Sequence, residues 1–263
     1  MSTFVLVHGA WRGGWCWDRV RRMLRAQGHD VFTPTLTGVA DRSHLLSPQI
    51  DLETHISDIA NLLVWEDLSD VVLRGHSYGG CVVAGVADRA PERIASLVYL
   101  DAFVPRHGQS FYDILPPELK ELQLAAARLT GEGWYVPPVP AEFFNVNAAE
   151  RTWVDRQCTP QSLATFQQPV GLTGRLDTID DVSFIWASDW EGSPFGHFHQ
   201  QAKQAGWDTM EIACGHDVMI DRPAQLTEAL LSAAHRQAKP VHRTIGNAPP
   251  VDKPTRDVCE AAP

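Results

Sequence analysis

The pentapeptide Gly75-His76-Ser77-Tyr78-Gly79 follows the apolar run Val71-Val72-Leu73 and opens a helix-like stretch from Tyr78 to Arg89. A serine held between two glycines at such a junction needs a tight, strained turn, because a Cβ at either flanking position would meet neighbouring backbone. The segment therefore commits the chain to a strand and a helix packed back to back, the repeating unit of an α/β sheet. The alternation recurs along the sequence. Thr3–Val7, Val31–Thr33, Asp70–Arg74, Leu97–Leu100, Val182–Ala187 and a stretch near Thr209–Ala213 read as short buried strands. Helices are expected from Trp15 to Gln27, capped by Gly28, and from Asp51 to Trp65, where Leu52, Ile56, Ile59, Leu62 and Leu63 share one face. Two more are expected, one after Pro194 and one from Pro223 to about Arg236. The pattern predicts an α/β fold built on a doubly wound, mostly parallel sheet with helices on both faces. Ligands of such sheets bind beyond the carboxyl ends of the strands.

Between residues 105 and 178 the alternation lapses. Proline pairs stand at Pro116-Pro117 and Pro137-Pro138, and Phe111, Tyr112, Trp134, Tyr135, Phe144, Trp153 and Phe166 are spread through the stretch. It reads as an inserted cap, 105–178, over a core made of 1–104 and 179–238. Aromatic residues over the active face suggest an apolar substrate, although any one of them could belong to a small satellite core. The last stretch, 239–263, carries five prolines and no apolar periodicity, and reads as a disordered tail.

With 263 residues the chain can bury one sizeable core. A net charge of −10 disfavours nucleic acid and anionic membrane as partners, since both require a positive face. The N-terminus lacks the basic and apolar regions of a signal peptide, and no run of about 18 apolar residues could span a bilayer. Cys16, Cys81, Cys158, Cys214 and Cys259 are scattered singly, a pattern of reduced thiols in a cytoplasmic protein with no metal site and no cofactor.

Chemistry enters through Ser77. A serine hydroxyl is a poor nucleophile at neutral pH unless a base removes its proton. Of eleven histidines, His216 in Cys214-Gly215-His216-Asp217 has the best place, after the last expected strand and before the C-terminal helix. His8 and His76 adjoin glycine turns and are expected to satisfy local backbone groups, while His197, His199, His235 and His242 are expected to face solvent. Negative charge developing on a carbonyl oxygen needs preorganised N–H donors, for which the amides of Tyr78 and Ala10 are the candidates. Activity is expected to rise as the imidazole loses its proton, between about pH 5 and 8. The rival reading of each glycine motif is a turn that serves packing alone.

With His8-Gly9-Ala10-Trp11-Arg12-Gly13-Gly14-Trp15, the Ser77 turn and the His216 turn, the chain resembles the plant methylesterase and hydroxynitrile lyase branch of the α/β-hydrolase superfamily, and in particular its bacterial esterase-like members. The loop Thr33-Pro34-Thr35-Leu36-Thr37-Gly38 adds to the likeness, which runs over about residues 3–237. The resemblance implies an α/β-hydrolase fold, Ser77 and His216 as catalytic pair, and Ala10 with Tyr78 as oxyanion donors. It also leaves room for a homodimer. Hydroxynitrile lyases of this branch carry a lysine after the catalytic histidine and a threonine where this chain has Gly9. Here the residue after the histidine is Asp217, so ester hydrolysis is favoured over cyanohydrin cleavage.

The plant enzymes draw their acid from the loop after the strand matching Phe184-Ile185-Trp186-Ala187, where ungapped alignment puts Trp190 at the acid position and Asp189 one residue early. Asp101, at the end of Val98-Tyr99-Leu100-Asp101, is the favoured acid and Asp189 the alternative. A carboxylate amid apolar neighbours needs a partner, and the imidazole would supply one. The expected activity is hydrolysis of a small or medium apolar carboxylic ester through an acyl-enzyme. A lactone or C–C bond hydrolase, a lyase, or a ligand-binding protein without turnover are the alternatives.

Overall fold

The computed structural model describes residues 1–237, so the 239–263 stretch, with His242 and Cys259, lies outside the described residues, as does the His235 side chain. From the N-terminus the elements are β1 (Thr3–Val7), α1 (Asp18–Ala26), β2 (Asp30–Phe32), α2 (Leu52–Trp65), β3 (Val71–Ser77), α3 (Gly79–Arg89) and β4 (Ile94–Ala102). Next come α4 (Phe111–Ile114), α5 (Pro117–Thr130), β5 (Tyr135–Val136), α6 (Arg151–Gln157), β6 (Gln161–Ser162) and α7 (Ala164–Gln167). The chain then completes β7 (Val182–Ala187), α8 (Gly196–Gln204), β8 (Asp208–Ile212), α9 (Val218–Asp221) and α10 (Pro223–Gln237).

Six strands form one sheet in the order β2-β1-β3-β4-β7-β8, with every pairing parallel. Parallel neighbours require crossovers, and the crossover helices must cover the sheet. All residues of β3 except Ser77 are buried, on both alternating faces, as a central strand of a doubly wound sheet requires. α1 packs against α10 and α2 against α3. α2 starts where its sequence directs it to: Asp51 accepts from the Thr54 amide at 2.9 Å while the Thr54 hydroxyl reaches back, forming a capping box.

Several boundaries differ from the sequence expectation. β4 begins three residues earlier and ends two later than Leu97–Leu100, and β3 continues through the glycine turn to Ser77. The largest departure is α5, fourteen residues long, in a stretch expected to be irregular. Pro116-Pro117 reads as a breaker, yet Pro117 occupies the first turn of the helix, where a missing N–H costs little. His199 was expected to face solvent and is instead buried, its ring lying against Phe184 and Trp186. Among the described residues, no helix is long and apolar enough to cross a membrane.

Candidate active site

Ser77 ends β3 with φ at +55°, a left-handed conformation that strains any residue bearing a Cβ. The turn closes because Gly79 has no side chain: a Cβ there would lie 2.6 Å from the carbonyl oxygen of His8. α3 follows at once, so the Tyr78 amide stands at the positive end of an eleven-residue helix. The same close approach brings the loop after β1 beside the serine.

That loop is held from several sides. Trp11 has φ at +63°; its amide donates to Gln161 Oε1 at 2.9 Å, its indole donates to the Val136 carbonyl at 3.1 Å, and its own carbonyl accepts from Thr159. The Trp11 amide is thus committed to Gln161. No hydrogen bond among the described residues is donated by the amides of Ala10 or Tyr78, the two expected oxyanion donors. Both Ala10 and Ser77 line one cavity of about 280 Å³.

Across the sheet, Asp101 is a bulged residue. β3 and β4 pair His76 with Leu100 and then Ser77 with Ala102, so Asp101 is skipped, and its φ is +42°. A bulge re-aims a side chain. Here the carboxylate accepts from the Ala187 amide at 3.1 Å through Oδ1 and from His216 Nδ1 at 2.6 Å through Oδ2. Asp189, the alternative acid, is exposed in the loop after β7; its amide donates to Cys214 and its carbonyl accepts from Asn145. The structure therefore brings Asp101 and not Asp189 to the imidazole.

His216 lies in the loop between β8 and α9 and lines the cavity with Ser77. Its ring is stacked by Phe195 at 5.1 Å and by Phe144 at 5.3 Å, with Trp190 at 5.0 Å and His76 at 4.3 Å. Burial first, then the neighbouring His76 and Arg12, push its pKa well below the ordinary 6.5, so the imidazole is neutral around pH 7. Burial likewise pushes the Asp101 carboxyl up, against the lowering effect of the Ala187 amide. His8 satisfies a local backbone group, donating to the Gly9 carbonyl while accepting from the Leu36 amide, whereas His76 was expected to do the same and instead donates through Nε2 to the distant His216 carbonyl. Burial lowers their pKa values to about 4 and about 3.

One strong feature escaped sequence reading. Asp217 is bound by Arg12 through two parallel bonds, Nε to Oδ1 at 3.0 Å and Nη2 to Oδ2 at 2.6 Å, and both side chains are almost fully buried. Arg12 also reaches the Ala10 carbonyl and lies over the Phe144 ring, 4.7 Å from its centroid. The pair fastens the loop carrying one oxyanion candidate to the loop carrying the imidazole. An Arg within a glycine-rich loop and an Asp after a histidine were the only signals for it, 205 positions apart.

Of the seven aromatic residues singled out between 105 and 178, Phe111 and Phe144 line the cavity. Phe166 and Tyr112 pack behind them, and Trp153 meets Trp15 edge-on. The remaining wall is mostly apolar, with Leu119, Val139 and Phe143 from the same segment and Phe103 and Phe195 from elsewhere, and Gln123 among them. Among the described residues no cluster of His, Cys, Asp and Glu could hold a metal ion.

Comparison with known proteins bears on the family and the fold. A family model described as "Alpha/beta hydrolase family" matches residues 4–229. The chain is 47% identical over 238 residues to the carbendazim hydrolyzing esterase of Nocardioides sp. (strain SG-4G), covering 88% of this chain and 98% of that one. It is 27% identical to salicylic acid-binding protein 2 of Nicotiana tabacum, over 89% of this chain and 97% of the other. Among solved structures, an extracellular alpha/beta-hydrolase from a Paenibacillus species superposes with a TM-score of 0.78 at 24% identity, over 89% of this chain and 99% of that one. Extending over nearly the whole described chain, these likenesses show that the protein belongs to the alpha/beta hydrolase family.

Proposed function

We propose that this carboxylic-ester hydrolase uses Ser77 as nucleophile, His216 as general base and Asp101 as the acid that supports the imidazole, with the amides of Ala10 and Tyr78 as oxyanion hole. Ester hydrolysis as the activity follows from nearly full-length likeness to an esterase that hydrolyses carbendazim. The observation that carries the assignment of roles is the 2.6 Å bond from His216 Nδ1 to Asp101, made on the wall of the cavity that Ser77 also lines. With Nδ1 holding a proton toward Asp101, Nε2 is left as the acceptor, the tautomer a general base needs.

In this reading the Ser77 hydroxyl gives its proton to His216 Nε2 as its oxygen attacks the ester carbonyl. The resulting oxyanion is met by the two amides, and the imidazolium returns its proton to the departing alcohol. Water then repeats the sequence on the acyl-enzyme and regenerates the serine. Residues 105–178 act as a cap on a core of 1–104 and 179–238, and the apolar walls of the cavity favour an ester with an apolar acyl or alcohol part. Gly9 and Asp217 support hydrolysis over lyase chemistry: Asp217 is spent on Arg12, and a Cβ at Gly9 would lie 2.9 Å from Ser77 Cβ, leaving no room for a threonine. Cys16, Cys81, Cys158 and Cys214 are all free thiols, which supports a reducing compartment such as the cytoplasm.

Turnover of p-nitrophenyl acetate by the wild type and by Ser77→Ala tests the assignment, together with labelling by a fluorophosphonate. The variant is expected to lose roughly 10⁴- to 10⁶-fold in kcat and all labelling. Equal turnover would refute the nucleophile. The pH profile tests the base: the protonated imidazole cannot accept from Ser77, and its pKa is depressed, so kcat/KM should be flat through neutrality and fall only below about pH 6.5. Burial thus moves the expected rise below the ordinary imidazole range. An inflection above pH 7 would count against His216.

A further inference from the structure

On the face of α5 that lines the cavity, between Leu119, Leu122 and Ala126, stands a single polar side chain, Gln123. It is only 9% exposed, and its Oε1 is shut off from solvent with no hydrogen-bond donor among the described residues. An unpaired buried amide oxygen costs roughly 1–3 kcal/mol, and a leucine or methionine would fill the same volume without that cost. Nothing within the described chain accounts for the glutamine. Ser77 and His216 are taken up by the reaction, and the Trp11 indole is committed to Val136, so Gln123 is a polar group of the wall left for the substrate.

We propose that Gln123 sets substrate specificity by accepting a hydrogen bond from an N–H on the apolar body of the substrate, which assigns the preferred class as carboxylic esters bearing an amide- or carbamate-type N–H. The inference rests on the ester-hydrolase reading of the same cavity. An N–H entering an apolar cavity loses its water and needs an acceptor; an Oε1 without a donor needs the same bond from the other side. The terminal torsion of a glutamine is soft, so its oxygen can turn to face a ligand from a fixed helix. A site built to pair such a group rejects the analogue that lacks it, because one buried polar atom is then left unmatched.

The test uses methyl para-acetamidobenzoate and methyl para-acetonylbenzoate, in which CH₂ replaces the N–H, with the corresponding meta pair to vary its position. The kcat/KM ratio of the N–H ester to the CH₂ ester is measured for the wild type and for Gln123→Met, so that intrinsic differences in ester reactivity cancel. The ratio is expected to fall by about tenfold in the variant for at least one pair. A ratio unchanged within about twofold for both pairs, in a variant whose thermal midpoint matches the wild type, overturns the assignment of Gln123. Failure of the wild type to cleave any of the four esters overturns the substrate class, while fluorophosphonate labelling of Ser77 decides the hydrolase reading independently.

Discussion

The sheet core and the 105–178 segment hold their parts of the site by different physics. In the core, position is fixed by ladder register and charge: a bulge aims Asp101, an amide at the end of β7 anchors it, and the buried Arg12–Asp217 pair ties two loops together. In the part of the segment that faces the cavity, position is held largely by neutral contacts, namely Gln161 and Val136 on Trp11, Phe111 on Phe166, and Phe144 and Phe166 on Trp11. Charged contacts, Arg19 with Glu150 and Asp88 with the amides of Thr173 and Gly174, tie it to the core elsewhere. Charged contacts inside a low-dielectric interior are stiff and intolerant of change. Neutral ones can be exchanged for others of similar shape at modest cost. The reacting groups thus sit on the part least free to vary, and the walls that face a substrate sit largely on the part most free to do so.

Substitutions can break this contrast. The largest effect is expected from Asp101→Asn, which preserves shape but favours the wrong imidazole tautomer and should lower kcat by about 10⁴. Asp189→Asn should leave kcat within about twofold, and a reversal of the two would relocate the supporting acid to the β7 loop. Next comes Arg12→Met, which strands a buried carboxylate and should destabilise the fold by about 3–5 kcal/mol, a drop of roughly 6–20 °C in thermal midpoint. Adding Asp217→Leu should recover much of that loss, and calorimetry on the two variants would show it. The smallest effect should come from Gln161→Leu in the segment. It leaves the buried Trp11 amide without its acceptor, at about 1–3 kcal/mol, and should be seen more in KM than in kcat. A loss larger than that of Arg12→Met would invert the comparison.

The same division governs what could be read from the sequence. The core was legible because its signals are local: apolar runs bounded by turn residues, a serine between glycines, and a histidine in the turn before the last long helix. Asp101 is favoured on two grounds, that a carboxylate in an apolar strand needs a partner and that some hydrolases of the resembled fold draw their acid from this strand, and the structure brings it to the imidazole. The bulge that aims it was not legible, because register belongs to a pair of strands and neither strand alone encodes it. Arg12 with Asp217, and Gln161 with Trp11, are contacts between residues 205 and 150 positions apart, which no pattern within one segment can reveal. The segment itself was the hardest part. Its prolines suggest interruption, yet one of them starts α5, and five of the seven aromatic residues singled out do not line the cavity.

Trp11, Ser77 and Asp101 all hold backbone conformations that glycine would adopt more easily. Selection for thermal hardiness alone would therefore tend to erase the reactive centre, since replacing the serine by glycine relaxes the turn and abolishes the nucleophile in one step. Any laboratory evolution of a sturdier form of this enzyme has to screen for turnover in the same round as for heat resistance.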